Sequence, residues 1–329
     1  VTRLLATIAV AAATLPHPAT RLLVFVAPSR PGTHARHGLF LTDRRGHVLR
    51  VLSSASYGTI GRWSPSGAQI AWKDPAGIHI AKADGSGARL LIATAAACKA
   101  CQALSFVWSA DSRALAVGSA GPEGNELRLV PIDGSAPRVL AASTIAGTFF
   151  TPMFWTPDGT SLVYGEEGTS LAYPGAVTRA LDLATGRTRT IWSTPTSQDS
   201  HPPLLSPDLR EWAYISEVDQ YHQRLRIVDT ATHTTHVVRG VNPTNLVGWA
   251  PNSRSLAVVE RGWHVVIVSR NGTVLHRIGP GLVSSWGRDG ELFVLRRRYD
   301  RVWVSENGRP ETFLFASPRN TWVVSLDAN

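Results

Sequence analysis

The chain has 329 residues, 43% of them hydrophobic and 17% charged, a balance that supports a sizeable globular core and excludes a disordered or collagen-like polymer. Its net charge of +9 comes almost wholly from arginine, since Lys73, Lys82 and Lys99 are the only lysines. The basic residues are scattered and no recognition motif accompanies them, so specific nucleic-acid binding is not expected.

Residues 1–20 stand apart from the rest. Thr2-Arg3 precedes an apolar run from Leu4 to Leu15, and Pro16-His17-Pro18-Ala19 follows it. A basic start, an apolar middle and small residues at the end are the order of a signal peptide, which predicts export to the periplasm, the cell envelope or the medium. The run is shorter than the roughly 20 apolar residues that span a bilayer, so no transmembrane segment is expected in the mature chain. Residues 21–329 read as one domain.

That domain begins with three β-like runs, Leu22 to Val26, Gly38 to Asp43 and His47 to Leu52. A five-residue motif then recurs: Trp63-Ser64-Pro65-Ser66-Gly67, Trp108-Ser109-Ala110-Asp111-Ser112, Trp155-Thr156-Pro157-Asp158-Gly159, Leu205-Ser206-Pro207-Asp208-Leu209, Trp249-Ala250-Pro251-Asn252-Ser253 and Trp286-Gly287-Arg288-Asp289-Gly290. The successive steps are 45, 47, 50, 44 and 37 residues. Periods of about 40–50 residues belong to β-propeller blades. After each motif come short runs rich in branched and aromatic residues, such as Gln69 to Trp72, Gly77 to Ala81 and Ala88 to Ile92, which read as strands. Asp84-Gly85, Asp133-Gly134, Thr185-Gly186 and Asn271-Gly272 supply the tight turns between the third and fourth runs.

An all-β propeller of four-stranded blades follows. Six motif copies give six blades, and the three N-terminal runs match the outer strands of a seventh. The missing innermost strand has a candidate at the far end, Thr321 to Leu326, whose pairing with Leu22–Val26 would close the ring. Seven blades is the favoured count. Six is the alternative, with residues 21–53 as an irregular cap. A closed ring has little unpaired edge to share, so a monomer is expected.

The repeats resemble the TolB-type, or WD40-like (PD40), propeller family, whose signature is a Trp-Ser-Pro-Asp-Gly turn. The Gly-His and Trp-Asp pairs that true WD40 repeats carry in each blade do not recur here. The resemblance covers nearly everything from Arg21 onward and implies a periplasmic interaction module that binds a protein or peptide, without catalysis and without a cofactor. Oligogalacturonate lyases carry related repeats and use histidines with a divalent metal, which makes a carbohydrate-active enzyme the alternative. A propeller guarding a serine peptidase domain would need a Gly-x-Ser-x-Gly elbow, which the sequence lacks.

Blade topology puts the repeated turn and the Asp-Gly turns on one face, and the variable loops on the other, where binding residues concentrate. The candidates there form an acidic sector and a basic, aromatic one. The first holds Glu166, Glu167, Asp199, His201, Glu217, Asp219, Tyr221 and His222; the second holds Trp263, Arg296, Arg297, Arg298 and Tyr299. Such a split surface suits an extended partner of mixed charge. His201 and His222, with Asp199, Glu217 and Asp219 near them in sequence, also suit a metal or acid–base constellation; the simpler reading is surface histidines, with no metal site. Cys98 and Cys101, between the second and third blades, are expected to form a small local disulfide in an exported protein. Lys73-Asp74 lies on the same face, and His79 is a strand residue, outward-facing or packed.

Overall fold

The computed structural model describes residues 21–28, 37–54, 59–94, 103–120, 125–144, 148–156, 158–168, 176–193, 204–219, 222–287, 290–296, 300–306, 312–317 and 321–328. Cys98 and Cys101 lie outside them.

Twenty-eight strands form seven four-stranded antiparallel sheets. The first blade takes β1 (Leu22–Pro28), β2 (Gly38–Thr42) and β3 (Val48–Ser53). The second is β4 (Ile60–Trp63), β5 (Gln69–Asp74), β6 (Gly77–Lys82) and β7 (Arg89–Ala93). The third is β8 (Ala103–Trp108), β9 (Ala114–Ala120), β10 (Asn125–Pro131) and β11 (Arg138–Ser143). The fourth is β12 (Thr148–Trp155), β13 (Ser161–Gly168), β14 (Ala176–Asp182) and β15 (Thr188–Ser193). The fifth is β16 (Leu204–Leu205), β17 (Glu211–Asp219), β18 (His222–Asp229) and β19 (Thr235–Val237). The sixth is β20 (Pro243–Trp249), β21 (Ser255–Glu260), β22 (His264–Ser269) and β23 (Val274–Pro280). The seventh is β24 (Leu282–Trp286), β25 (Glu291–Arg296), β26 (Arg301–Glu306) and β27 (Thr312–Ala316). The last strand, β28 (Thr321–Ala328), returns to the first blade and pairs with β1.

The favoured count of seven and the expected closure are both present. Val24 faces Leu326 and Leu22 faces Ala328 across the β1–β28 ladder. Successive side chains of a strand point to opposite faces, and β1 shows what that means in a ring. Leu22, Val24 and Val26 join Phe293, Val304, Val323 and Leu326 in the core between the seventh and first blades. Leu23, Phe25 and Ala27 join Trp63, Ile70 and Trp72 between the first and second. A strand buried on both sides reads as a continuous apolar run, which is why Leu22 to Ala27 lacks polar alternation.

The repeated motif builds a self-contained turn. Its second residue bonds back across the hairpin: the Ser109 hydroxyl accepts from the Ala114 N–H at 2.9 Å, Thr156 from Ser161 at 3.0 Å and Ser206 from Glu211 at 3.0 Å. The same hydroxyls donate to the fourth-position carboxylates of Asp111, Asp158 and Asp208. The fifth residue is left-handed in every copy, with φ of 70° at Gly67, 62° at Ser112, 70° at Gly159, 61° at Leu209, 59° at Ser253 and 81° at Gly290.

Two kinds of latch then tie neighbouring blades. In three copies the motif tryptophan donates its indole N–H to the preceding blade, Trp108 to the Arg62 carbonyl at 3.2 Å, Trp249 to Leu204 at 2.8 Å and Trp286 to Gly248 at 2.9 Å, while the indole nitrogens of Trp63 and Trp155 are buried without a partner. The left-handed serines accept from that blade's turn, Ser112 from the Ser66 N–H at 2.9 Å and Ser253 from Asp208 at 3.1 Å. A guanidinium bridge adds to these. Arg44 in the β2–β3 turn reaches Glu291 at the start of β25 at 2.7 Å, and Arg270 in the β22–β23 turn reaches Glu211 at the start of β17 at 2.8 Å. Arg270 also meets Asp208 at 3.3 Å.

These turns carry a pH signature. The Ser109 hydroxyl holds the Asp111 carboxyl below its ordinary range, and the Thr156 hydroxyl does the same for Asp158. Burial pushes Asp208 up, but Ser206, the Arg210 N–H and Arg270 together outweigh it. A depressed folded-state pKa contributes stability that is present above the unfolded value and is lost as pH falls through the folded one. The melting temperature is therefore expected to hold near neutrality and to fall once pH drops below about 4, the unfolded carboxylate value. Asp111→Asn combined with Asp158→Asn should flatten that fall, as read by melting curves between pH 2 and pH 7.

Candidate functional site

The innermost strands look on to the axial channel. In β4, Ile60 and Arg62 are exposed while Gly61 and Trp63 are buried, so only alternate residues reach it. Phe106 of β8 is buried with Leu104 and Trp108 in the core between the second and third blades. Exposed Thr151, Thr244 and Asn245 add hydroxyl and amide groups to the inner strands.

The face opposite the repeated turns is different in kind. In the sixth blade, the β21–β22 hairpin turns at Arg261-Gly262-Trp263, with Glu260 and His264 as register partners. Trp263 has φ of 65° and is 60% exposed. The turn is well held: the Trp263 N–H donates to the Glu260 carbonyl at 2.9 Å, and the Gly281 N–H donates to the Trp263 carbonyl at 2.7 Å. A left-handed conformation costs an L-residue about 1–2 kcal/mol and is a genuine outlier for a bulky one. The fold therefore holds a large apolar ring in water on a strained backbone.

A cation–aromatic ladder lies in the neighbouring blade. Val294, Trp303 and Phe313 are register partners across β25, β26 and β27, and Arg301 shares their face two residues from Trp303. Arg296 sits over the Trp303 ring at 5.2 Å, Trp303 meets Phe313 edge-on at 5.4 Å, and Arg301 sits over Phe313 at 6.0 Å. Phe313 is 45% exposed. Arg277 pairs with Glu260 at 3.1 Å beneath the Trp263 hairpin. Trp263 and Arg296 were legible from the sequence. So was Arg301, beside the Arg296-Arg297-Arg298 cluster; Trp303 and Phe313 carry no such local signal, and only their phase along two adjacent strands finds them.

In the acidic sector, Glu166 accepts from Arg179 at 2.8 Å across β13 and β14, and Glu167 is half-buried beside it. Asp219 and His222 are register partners at the end of the β17–β18 hairpin, with Glu217 opposite Gln223. Asp199, His201, Tyr221, Arg297, Arg298 and Tyr299 lie outside the described residues. On the same face, His79 stacks on Trp72 with ring centres 5.1 Å apart and meets Asp74 at 3.0 Å, so it is packed. Asp74 also accepts from Ser53 at 3.2 Å, and Lys73 donates to the Leu104 carbonyl at 2.9 Å. Burial pushes the Lys73 ammonium below its ordinary range. Both groups join blades. Among the described residues, no group of three or more His, Cys, Asp or Glu comes together to hold a metal ion, and no helix is long and apolar enough to cross a membrane.

Structural comparison decides the fold type. TolB from Acinetobacter baumannii matches with a TM-score of 0.53 and 18% identity over 78% of this chain and 62% of that one. The chain has a TolB-type propeller fold. An oligogalacturonate lyase in complex with manganese matches with a TM-score of 0.56 and 15% identity, over 78% of this chain and 76% of that one. The oligogalacturonate lyase of Vibrio parahaemolyticus gives 0.57 and 14%, with the same coverage. This TolB-type propeller thus spans less than two thirds of the A. baumannii chain. No family model matches it, and no curated protein does. Identities this low carry the fold alone.

Proposed function

We propose that this propeller is a non-catalytic binding module of the cell envelope, which takes a protein or peptide on its irregular face with Trp263 as the anchor. The observation that carries the reading is the exposed, left-handed Trp263. Backbone strain is kept at positions where function requires it, and tryptophan and arginine are the residues that dominate contact energies. The ladder of Arg296, Trp303, Phe313 and Arg301 extends the patch and favours a partner segment with carboxylates and aromatic rings. The resemblance to TolB-type interaction modules supports the same class, and the signal-like composition of residues 1–20 supports export. A monomer is the proposed state.

The test measures affinity and stability together. Trp263→Ala is expected to weaken the partner captured from envelope extract by about 30-fold or more, the scale of a contact hot spot. Trp263→Gly should lose the same affinity while raising stability by about 1 kcal/mol, because glycine adopts this conformation freely. Unchanged affinity, or a lowered melting temperature in the glycine variant, would show that the ring serves the fold.

The second reading is a carbohydrate-active lyase with a His-based metal site, supported by the likeness to the manganese-bound enzyme. Asp219 and His222 are register partners at one hairpin end, and a zinc site would need at least a third ligand beside them. A divalent metal that survives purification and is lost on His201→Ala with His222→Ala would favour the enzyme over the binding module.

A further inference from the structure

The boundary between the third and fourth blades lacks both latches on the repeated-turn face, as does the next one, where Leu205 and Leu209 fill the first and fifth motif positions. Trp155 occupies the latch position, yet its indole nitrogen is buried with no hydrogen-bond partner, whereas Trp108, Trp249 and Trp286 each donate to the preceding blade. The second latch is also missing. The fifth motif residue here is Gly159, with no hydroxyl to receive the Asp111 N–H as Ser112 and Ser253 receive theirs. Where the latches are gone, a cleft of about 450 Å³ opens between the two turns. That volume lies in the range of small-molecule sites.

The lining has a definite chemistry. The lining brings together the Trp155 ring, the apolar side chains of Leu129 and Leu183, and one carboxylate from each turn, Asp111 and Asp158. Each carboxylate commits one oxygen to its own turn, Asp111 to Ser109 and Arg113, Asp158 to Thr156 and Thr160. Those bonds keep both groups ionised at neutral pH. The equivalent Asp208 is neutralised by Arg270; among the described residues no ion pair within 4 Å reaches Asp111 or Asp158, and only the more distant Arg113 charge acts on Asp111. Two charges beside an aromatic ring and hydrocarbon side chains suit a cation that carries carbon, which gains from both the carboxylates and the ring. A bare divalent metal would need six or more oxygen donors and gains nothing from the apolar lining.

We propose that the cleft between the third and fourth blades is a binding site for a compact organic cation, an alkylammonium or guanidinium group, held between Asp111 and Asp158 against Trp155. The site is separate from the Trp263 face and stands without it.

The full chain, labelled with ¹⁵N, allows the indole resonance of Trp155 to be followed, its assignment fixed by its loss in Trp155→Phe. Methylguanidinium and butylammonium chlorides are expected to shift it saturably, and 1-butanol to leave it in place. Asp111→Asn with Asp158→Asn should weaken the cations at least tenfold. Gly159→Ser supplies the missing hydroxyl at a φ that Ser112 and Ser253 already adopt, with its added Cβ 3.1 Å from Ala110 Cβ, and in the folded variant should clamp the cleft and abolish the shift. Blocked arginine and lysine amides binding tenfold tighter than the bare cations would make a polypeptide side chain the source; equal binding would make it a free amine. Either ordering supports the site. An unsaturable response, an equal response to 1-butanol, or full affinity in the double asparagine variant overturns it.

Discussion

Truncation before Thr321 is expected to abolish cooperative folding of the whole ring, although it removes only nine residues. Those residues contain β28, the innermost strand of the first blade. Without it the seven-residue β1 becomes an open edge, and the core between the seventh and first blades loses Val323 and Leu326, which are 2% and 1% exposed. Each such side chain is worth roughly 1.5–3 kcal/mol when fully buried. The Asp327 carboxylate, which accepts from the Trp63 N–H at 2.8 Å, also disappears, and with it a tie between the first and second blades. Together with the lost ladder this approaches the 5–15 kcal/mol that separates folded from unfolded domains. Calorimetry should show no cooperative transition in the truncated chain. A synthetic peptide of residues 318–329 should restore one, because the groove it fills is otherwise complete. A truncated chain that melts like the intact one would mean that the ring does not depend on closure.

Gly118→Ala is expected to destabilise the ring strongly through blade-on-blade contact alone. Gly118 lies in β9 where β12 of the next blade crosses it, and an added Cβ would stand 1.9 Å from the Phe150 carbonyl oxygen and 2.8 Å from Pro152 Cδ. Real Cβ atoms do not approach that closely, so the two blades would have to part by more than an ångström. Overpacking against a side chain costs about 1–3 kcal/mol; against backbone, which cannot rotate away, about 3 kcal/mol or more is expected. At about 2–4 °C per kcal/mol for domains near this size, the melting temperature should fall by roughly 6–12 °C. Gly165→Ala is the control. It adds the same methyl in β13, where the nearest atom is 3.7 Å away, and should change the melting temperature little. Similar losses for both would show that close blade-on-blade contact at Gly118 is not what the added methyl disturbs.

The fold was legible because a propeller repeats its chemistry. The Trp-Ser-Pro-Asp-Gly copies fix where each innermost strand ends, and the alternation in Leu22 to Ala27 is absent for the good reason that both of its faces are buried. The turn residues could be read for the same cause, since a fifth position filled by Gly67, Ser112, Gly159 or Ser253 marks a left-handed backbone. The site was harder. Trp263 was found because its loop departs from the repeat. Trp303 and Phe313 were passed over because a single strand gives no hint of which partner lies opposite; their edge-on contact needs the β26–β27 register. Glu166 looked like part of an open acidic sector, and only the β13–β14 pairing shows that Arg179 lies against it. The unlatched third boundary was likewise invisible until Trp155 could be compared with its counterparts in space.

The most direct test of partner binding on the irregular face places a photo-crosslinking residue at position 263 in one variant and at position 187, in the β14–β15 turn of the opposite face, in another. Binding through the irregular face predicts a discrete partner adduct from position 263 and none from 187. An adduct from 187 alone, or equal adducts from both, would contradict it.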